Sequence, residues 1–288
     1  MKIAVTGGTG FLGRHLFAYL VSLGYETTII QRSDLKGGTD RVSKLIKSSD
    51  VIINLAGSPV IKRWTKANKE TILSSRLDTT RLLVASILGL NPADRPSLVV
   101  SASAIGIYDS MNKHDESSEM FDNNFLTDVC RQWEDCLIPL HQTETRLCIV
   151  RIGIVLGREG GMLKQLMPLF KAGLGGKIGS GKQPFSFIHY LDFCRAVTYL
   201  LEHPECSGIF NMTAPVISSN AEFTRILSTS LRRPAFFTVP AFALELLYGK
   251  AAVALIEGQA VYPKHLLDCG FRFLYPDLNL ALQNILES

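Results

Sequence analysis

Residues 2–13, Lys-Ile-Ala-Val-Thr-Gly-Gly-Thr-Gly-Phe-Leu-Gly, join a short apolar run to a glycine-spaced turn and then to a helical repeat. Ile3, Ala4 and Val5 show no polar alternation, the pattern of a strand buried on both faces of a parallel sheet. Phe11, Leu12, Leu16, Phe17 and Leu20 then recur at helical spacing. Each glycine has its own steric task. Gly7 permits a tight turn, Gly10 lets backbone amides approach a pyrophosphate, and Gly13 lets the helix pack closely on the strand. The helix N-terminus would face the phosphates with unpaired N–H groups and the positive end of its dipole. A glycine triplet alone also suits an ordinary turn; following a buried strand, it reads as a dinucleotide fingerprint.

Residues 26–31 form a second apolar strand, which runs into Arg32 and Ser33. In such folds the adenosine ribose lies at the end of this strand, where an acid accepts the 2′-hydroxyl of NAD or an arginine accommodates the 2′-phosphate of NADP. Gln31 replaces the acid and Arg32 follows, which points to NADP; the other reading is an exposed loop arginine. Residues 34–49 have room for one brief helix (41–47) but little for another strand and crossover, so the third strand is expected to be reduced or absent. Residues 51–57 make the next buried strand and end in Leu55, Ala56 and Gly57, small enough to bring backbone against the cofactor.

A long helix at 65–88, a strand at 97–102, a helix capped by Asn123 or Asn124 and running to about 140, and a strand at 146–150 follow. This alternation means βαβ units, an α/β class with a doubly wound parallel sheet, and ligands at the carboxyl ends of the strands. Beyond Gly157 glycines become dense and elements shorten, as in loops that close over a substrate. Residues 187–192 open a helix to about 201, residues 208–212 return to the sheet, and helices at 221–231, 241–256 and 277–286 complete the chain. The expected organisation is a Rossmann domain over 1–157, completed by 186–213, with a small substrate lobe from 158–185 and 214–288.

The 288 residues, 47% hydrophobic, suffice for that domain and lobe. Formal net charge is +4, and the 30 basic residues are scattered, so no electrostatic footprint for nucleic acid is present. Six cysteines show no CxxC pair and no partnered histidine spacing, which argues against zinc or a disulfide framework and for reduced core thiols. The first strand begins at Lys2 and no apolar run approaches a membrane span, so a cytoplasmic location without membrane association is the default expectation.

With TGGTGFLG, NLAG, SASAIGIY, RIGIVLG, GSGKQPFSFIHYLD and NMTAP in one order, the chain resembles the extended short-chain dehydrogenase/reductases, the NAD(P)-dependent epimerase/dehydratase group. RWTKANKETILSSRLDTTRLL, GLGGKIGSG, the RRPAFF and VPAF segments and the final YPDL are similar to the branch called epimerase-like family 39U. The resemblance runs essentially from end to end. It implies a Rossmann fold with a C-terminal substrate lobe and a bound NADP(H). It also implies pyrophosphate contacts from Gly7, Gly10, Phe11 and Leu12, a 2′-phosphate contact from Arg32, and ribose-side contacts from Leu55, Ala56 and Gly57. Arg76 matches a cofactor-facing position of this branch; a surface salt bridge to Asp78 or Glu70 is the other reading.

Ser103 stands where the wider family carries the hydroxyl that hydrogen-bonds the substrate oxygen, although it could instead bond only to loop backbone. The wider family also places a Tyr and a Lys four residues apart on the following helix, so that both project from one face and the lysine lowers the tyrosine pKa. Here Leu126 and Cys130 stand at those positions, in an apolar set with Val129, Trp133 and Leu137 that reads as plain core. Tyr108, five residues after Ser103, is the nearest substitute donor; Lys113, His114 and His189 are others. Asp192 reads as a helix cap, and Lys182 and Gln183 as a solvated loop that could meet a polar substrate. Two functions follow: an NADP-dependent oxidoreductase or epimerase acting on a small carbonyl or hydroxyl compound, or a catalytically silent NADP(H)-binding module acting through a partner.

Overall fold

The computed structural model describes residues 1–287. Six strands form the central sheet: β1 (Lys2–Thr6), β2 (Glu26–Ile30), β3 (Val51–Asn54), β4 (Leu98–Ala104), β5 (Arg146–Ile152) and β6 (Gly208–Met212). Their spatial order is β6-β5-β4-β3-β1-β2, and every pairing is parallel. The order of strands turns around at β1, so a crevice opens beyond the carboxyl ends of β1 and β3, where ligands bind in open α/β sheets.

The helices are α1 (Phe11–Ser22), α2 (Arg32–Leu35), α3 (Gly38–Ile46), α4 (Lys66–Leu88), α5 (Phe125–Asp135), α6 (Gly161–Lys171), α7 (Tyr190–Glu202), α8 (Asn220–Ser230), α9 (Ala241–Tyr248), α10 (Val253–Ile256), α11 (Lys264–Asp268) and α12 (Leu278–Glu287). Leu16 and Leu20 of α1 and Phe193, Val197 and Leu200 of α7 pack on one face of the sheet against Ile3, Val5 and Ile53. Val42 and Ile46 of α3 and Leu83, Val84 and Ile87 of α4 pack on the other against Ala4, Ile52 and Val99. Only α2 and α3 separate β2 from β3, so the third strand is absent and β2 forms an edge.

A second core gathers Leu163 and Phe170 of α6, Phe223 and Leu227 of α8, and Leu282 and Ile285 of α12 around Phe185 and Phe187. Between α8 and α12 the chain returns to the main body, where Leu266 of α11 and Phe271 join the sheet core. Three predicted helices differ from those observed. The helix after Asn124 stops at Asp135 and gives way to a 3-10 turn at Ile138–Gln142, because Pro139 lacks the amide and the clearance that an α-helix interior needs. The 241–256 segment breaks at Gly249, which takes φ +60, and continues as a 3-10 turn and then α10. Phe187–His189 is a short strand paired with Ile154–Leu156, so the following helix begins at Tyr190. Among the described residues no helix is long and apolar enough to cross a membrane.

Asp192 is not the cap of α7. His189 caps that helix, its Nδ1 accepting the Leu191 N–H at 3.1 Å. Asp192 is wholly buried and accepts the amides of Leu274 and Tyr275 at 3.0 and 2.8 Å, and Arg195 Nη1 at 2.7 Å. It thereby ties α7 to the segment that leads into α12. Asp192→Ala would strand two amides and a cation together, so a loss of roughly 3–5 kcal/mol is expected, measured as a fall in the urea midpoint.

Candidate functional site

The glycine turn is a cradle that a side chain would fill. Gly7 takes φ +71, and a Cβ there would stand 2.6 Å from the Leu55 carbonyl; one on Gly13 would stand 2.2 Å from the Gly7 oxygen. Gly10 is different. Its φ of -73 suits any residue, and an added Cβ would meet only the Gly7 oxygen at 3.2 Å. The first bond of α1 runs from the Arg14 N–H to the Gly10 carbonyl, and no side chain caps the helix. The amides of Phe11, Leu12 and Gly13 therefore have no intrahelical acceptor and suit a phosphate. The Phe11 and Leu12 side chains are structural: the Phe11 ring is gripped by Gly157 and Gly160, and Leu12 packs on the sheet core.

At the end of β2, Gln31 caps α2 and Arg32 is its first residue. Asp34, the nearby acid, accepts the Gln31 N–H at 3.0 Å and pairs with Arg41 at 3.0 Å. Arg32 is exposed and belongs to no ion pair among the described residues. Asn54, the last residue of β3, accepts from Thr6 Oγ1 at 2.7 Å and donates to Thr80 Oγ1 at 2.9 Å and Ser101 Oγ at 3.2 Å. Trp133 Nε1 donates to the same Thr80 oxygen at 2.9 Å, which sets the indole against α4.

Arg76 forms a bridge to neither Asp78 nor Glu70. Its Nη1 donates to the carbonyls of Ser58 and Ile72, both at 3.0 Å, and its guanidinium lies 5.1 Å over the Trp133 ring. It also flanks Gly57 so closely that a Cβ there would stand 3.0 Å from Cζ.

Ser103, at the end of β4, is 2% exposed, and its hydroxyl donates to Glu134 Oε1 at 2.5 Å rather than to loop backbone. Arg151 grips both oxygens of that carboxylate, Nε to Oε1 at 2.9 Å and Nη2 to Oε2 at 2.8 Å. Its third nitrogen, Nη1, donates to the Tyr108 hydroxyl at 2.8 Å, and Tyr108 in turn donates to Asn211 Oδ1 at 3.0 Å. Tyr108 is fully enclosed, stacked on His114, and burial raises its pKa. The expectation that Tyr108 supplies a proton is thus corrected: its one O–H is held by Asn211 inside the core.

Cys130 is a core residue, whereas Leu126 is half-buried. Leu126 packs near Gly106, and Cys130 is buried beside Ser103 and Arg76, its thiol pushed up to about 12 chiefly by burial. The remaining candidates are not brought to this place. His114 bonds to Ser118 Oγ and the Asp109 carbonyl, Lys113 and Lys182 are exposed, and Gln183 donates to the Ile178 carbonyl. His189 is buried, and its pKa falls to about 4, which keeps the imidazole neutral. Glu134 and Arg151 are the members the sequence reading missed. A lone arginine in the buried run Leu-Cys-Ile-Val-Arg-Ile was the available signal, since a buried cation requires a buried partner.

Residues 3–212 match the model of the NAD dependent epimerase/dehydratase family, and residues 239–285 match a domain of unknown function. The chain belongs to the epimerase/dehydratase family. It is 36% identical over 297 residues to the epimerase family protein SDR39U1 of Bos taurus, covering 99% of this chain and 100% of the relative. A chloroplastic SDR39U1 homolog of Arabidopsis thaliana is 34% identical over 309 residues, covering 100% of this chain and 87% of the relative. The crystal structure of human SDR39U1 (isoform 2) with NADPH superposes with a TM-score of 0.92 at 33% identity, covering 100% of this chain and 99% of that one. An open helix N-terminus above a glycine cradle suits the dinucleotide this family name implies.

The contrast between the glycines gives a test. Gly10→Val should leave the fold intact and abolish NADPH binding by isothermal calorimetry, because the side chain would enter the space in front of the open amides. Gly13→Val should instead fail to fold, seen as loss of the cooperative thermal transition.

Proposed function

We propose that the protein is an NADP-dependent oxidoreductase or epimerase acting on a small hydroxyl or carbonyl compound, with Ser103 meeting the reacting oxygen. One observation carries this reading. An open phosphate cradle and a serine already hydrogen-bonded to a carboxylate at 2.5 Å share the carboxyl ends of β1 and β4. The family match and the NADPH of the human relative's structure support the cofactor. The unpaired Arg32 at the end of β2 supports a 2′-phosphate.

Bound NADP(H) would supply hydride chemistry at the carbon that bears the reacting oxygen. The chain's own residues handle the proton. In the oxidising direction the substrate hydroxyl gives its proton to Ser103 Oγ while Ser103 passes its own to Glu134 Oε1; in the reducing direction both transfers reverse. Arg151 holds the Glu134 carboxylate in place, Nε on Oε1 and Nη2 on Oε2. Cys130, with its thiol at about 12, neither gives nor holds charge at neutral pH. Six free cysteines, four of them buried, suit a reducing compartment, and we place the protein in the cytoplasm.

A second reading is a silent NADP(H)-binding module acting through a partner. It is favoured by the enclosure of Ser103 and by the absence of the Tyr/Lys pair. Scanning NADPH oxidation against aldehydes, quinones and sugar nucleotides separates the two, since the silent module never exceeds the blank.

Two variants test the assignment. An arginine–phosphate pair contributes about 1.5–3 kcal/mol, so NADPH should bind roughly 10- to 100-fold more tightly than NADH, and Arg32→Ala should lose most of that preference by calorimetry. Ser103→Ala should lower kcat on a true substrate by about 10²-fold with NADPH affinity unchanged; parental turnover would remove Ser103 from the chemistry.

A further inference from the structure

We propose that the protein pairs with a second copy of itself through the open edge of the strand Phe237–Val239 and the apolar stripe of α9. This goes beyond the activity proposed above and is tested without it.

The exposed apolar surface comes first. Phe236 is 91% exposed and Leu246 74%, and Phe237, Phe242 and Leu247 are each more than half exposed. These five side chains fall between residues 236 and 247, and α9 has no buried residue at all. Phe242 and Leu246 stand four residues apart and so share one face of that helix. An apolar concentration of this kind on a globular domain marks an interaction surface.

The backbone says what covers it. Phe237–Val239 pairs in parallel with Gly176–Ile178 and with no other strand among the described residues. The Val239 carbonyl accepts the Gly179 N–H at 2.9 Å, and the Phe237 carbonyl fills the space that a Cβ on Gly176 would take. Alternate residues of such a ladder turn their polar groups to opposite sides, so Thr238 presents its N–H and C=O to the open edge, where the strand is exposed. The far edge of this small sheet is closed, since the Ile178 N–H donates to Asn220 Oδ1 at 2.8 Å. A lipid surface would satisfy neither Thr238 group, whereas another strand satisfies both.

The edge also complements itself. About a two-fold axis two such strands run antiparallel, and Thr238 opposite the partner's Thr238 forms the pair that exchanges both N–H···O bonds. That register sets Phe237 against the partner's Val239 twice, an aromatic–β-branched cross-strand pair. Arg232 and Arg233 precede the strand and Glu245 follows it on α9; all three are exposed and belong to no ion pair among the described residues. Antiparallel packing carries the arginine end of each copy toward the partner's Glu245, so opposite charges meet at both rims. Pro234 and Pro240 bracket the edge and keep the ladder short. With the far edge closed by Asn220, the assembly stops at four strands and two copies.

Sedimentation velocity on the full chain is the test. The parent should sediment as a dimer that dissociates on dilution. Thr238→Pro removes the outward N–H and leaves the bonds to Gly176–Ile178; it and Phe237→Thr should each raise the dimer Kd by about 10-fold or more. Charge reversal separates a second copy from any other occupant. Glu245→Arg alone and Arg232→Glu/Arg233→Glu alone should each sediment as monomers where the parent is dimeric, because like charges then face one another. An equal mixture of the two should recover the dimer, since every rim contact between them is again opposite in sign. These reversals lie at exposed positions and should keep the parental thermal transition. The proposal is overturned if the parent is monomeric at every concentration, if the Thr238 and Phe237 variants dimerise like the parent, or if the mixture stays monomeric. A monomeric parent that floats with phosphatidylglycerol vesicles, and no longer does so as Leu246→Glu, would assign the patch to a lipid surface instead.

Discussion

A β-carbon on Gly13 would stand 2.2 Å from the Gly7 oxygen and 2.6 Å from Gly8 Cα, so α1 lies on the turn at a separation that only glycine permits. That approach decides where the amides at the head of α1 point. It also brings the turn against the loop after β3, since the space in front of Gly7 is filled by the Leu55 carbonyl. The same logic reaches the second lobe. Phe11, the first residue of α1, is gripped by Gly157 and Gly160, where a Cβ on Gly160 would stand 2.2 Å from its ring. One helix terminus thus aligns the sheet, the crevice and the start of the small lobe.

Polar side chains inside the sheet then orient what the crevice can do. Asn54 and Thr80 link β1, β3, β4, α4 and α5, which holds Trp133 and so the aromatic face beneath Arg76. Arg151 joins Glu134 to Tyr108, with exposures of 4% and 13% for the side chains of the ion pair. Such a buried pair repays its desolvation only with good geometry and full hydrogen bonding, and here the arginine engages the carboxylate with two nitrogens. Two consequences follow from one pair: Ser103 points its proton at Glu134, and Tyr108 is removed from service as an acid.

Cys130 lies within electrostatic reach of the Arg76 guanidinium. A lysine at 130 would set a second cation beside the guanidinium, and like charges in a half-buried site oppose one another. A neutral thiol avoids that repulsion and packs.

Glycine spacing and hydrophobic period are local properties, and from them the chain by itself determined the α/β class, the parallel sheet, the missing third strand and the cradle at residues 7–13. Where local rules competed, boundaries slipped: Pro139 ended α5 early, and Gly249 split the 241–256 helix. Only the tertiary structure decided which polar groups face one another. Ser103 meets Glu134 across 31 residues, Arg151 meets Glu134 across 17, and Tyr108 meets Asn211 across 103. No periodicity encodes such meetings, because they arise from strands and helices laid side by side after the chain has closed. Tyr108, plausible as a donor from its distance to Ser103 in sequence, became a core residue for this reason, and Arg76 acquired its neighbours Cys130, Trp133 and Gly57 in the same way.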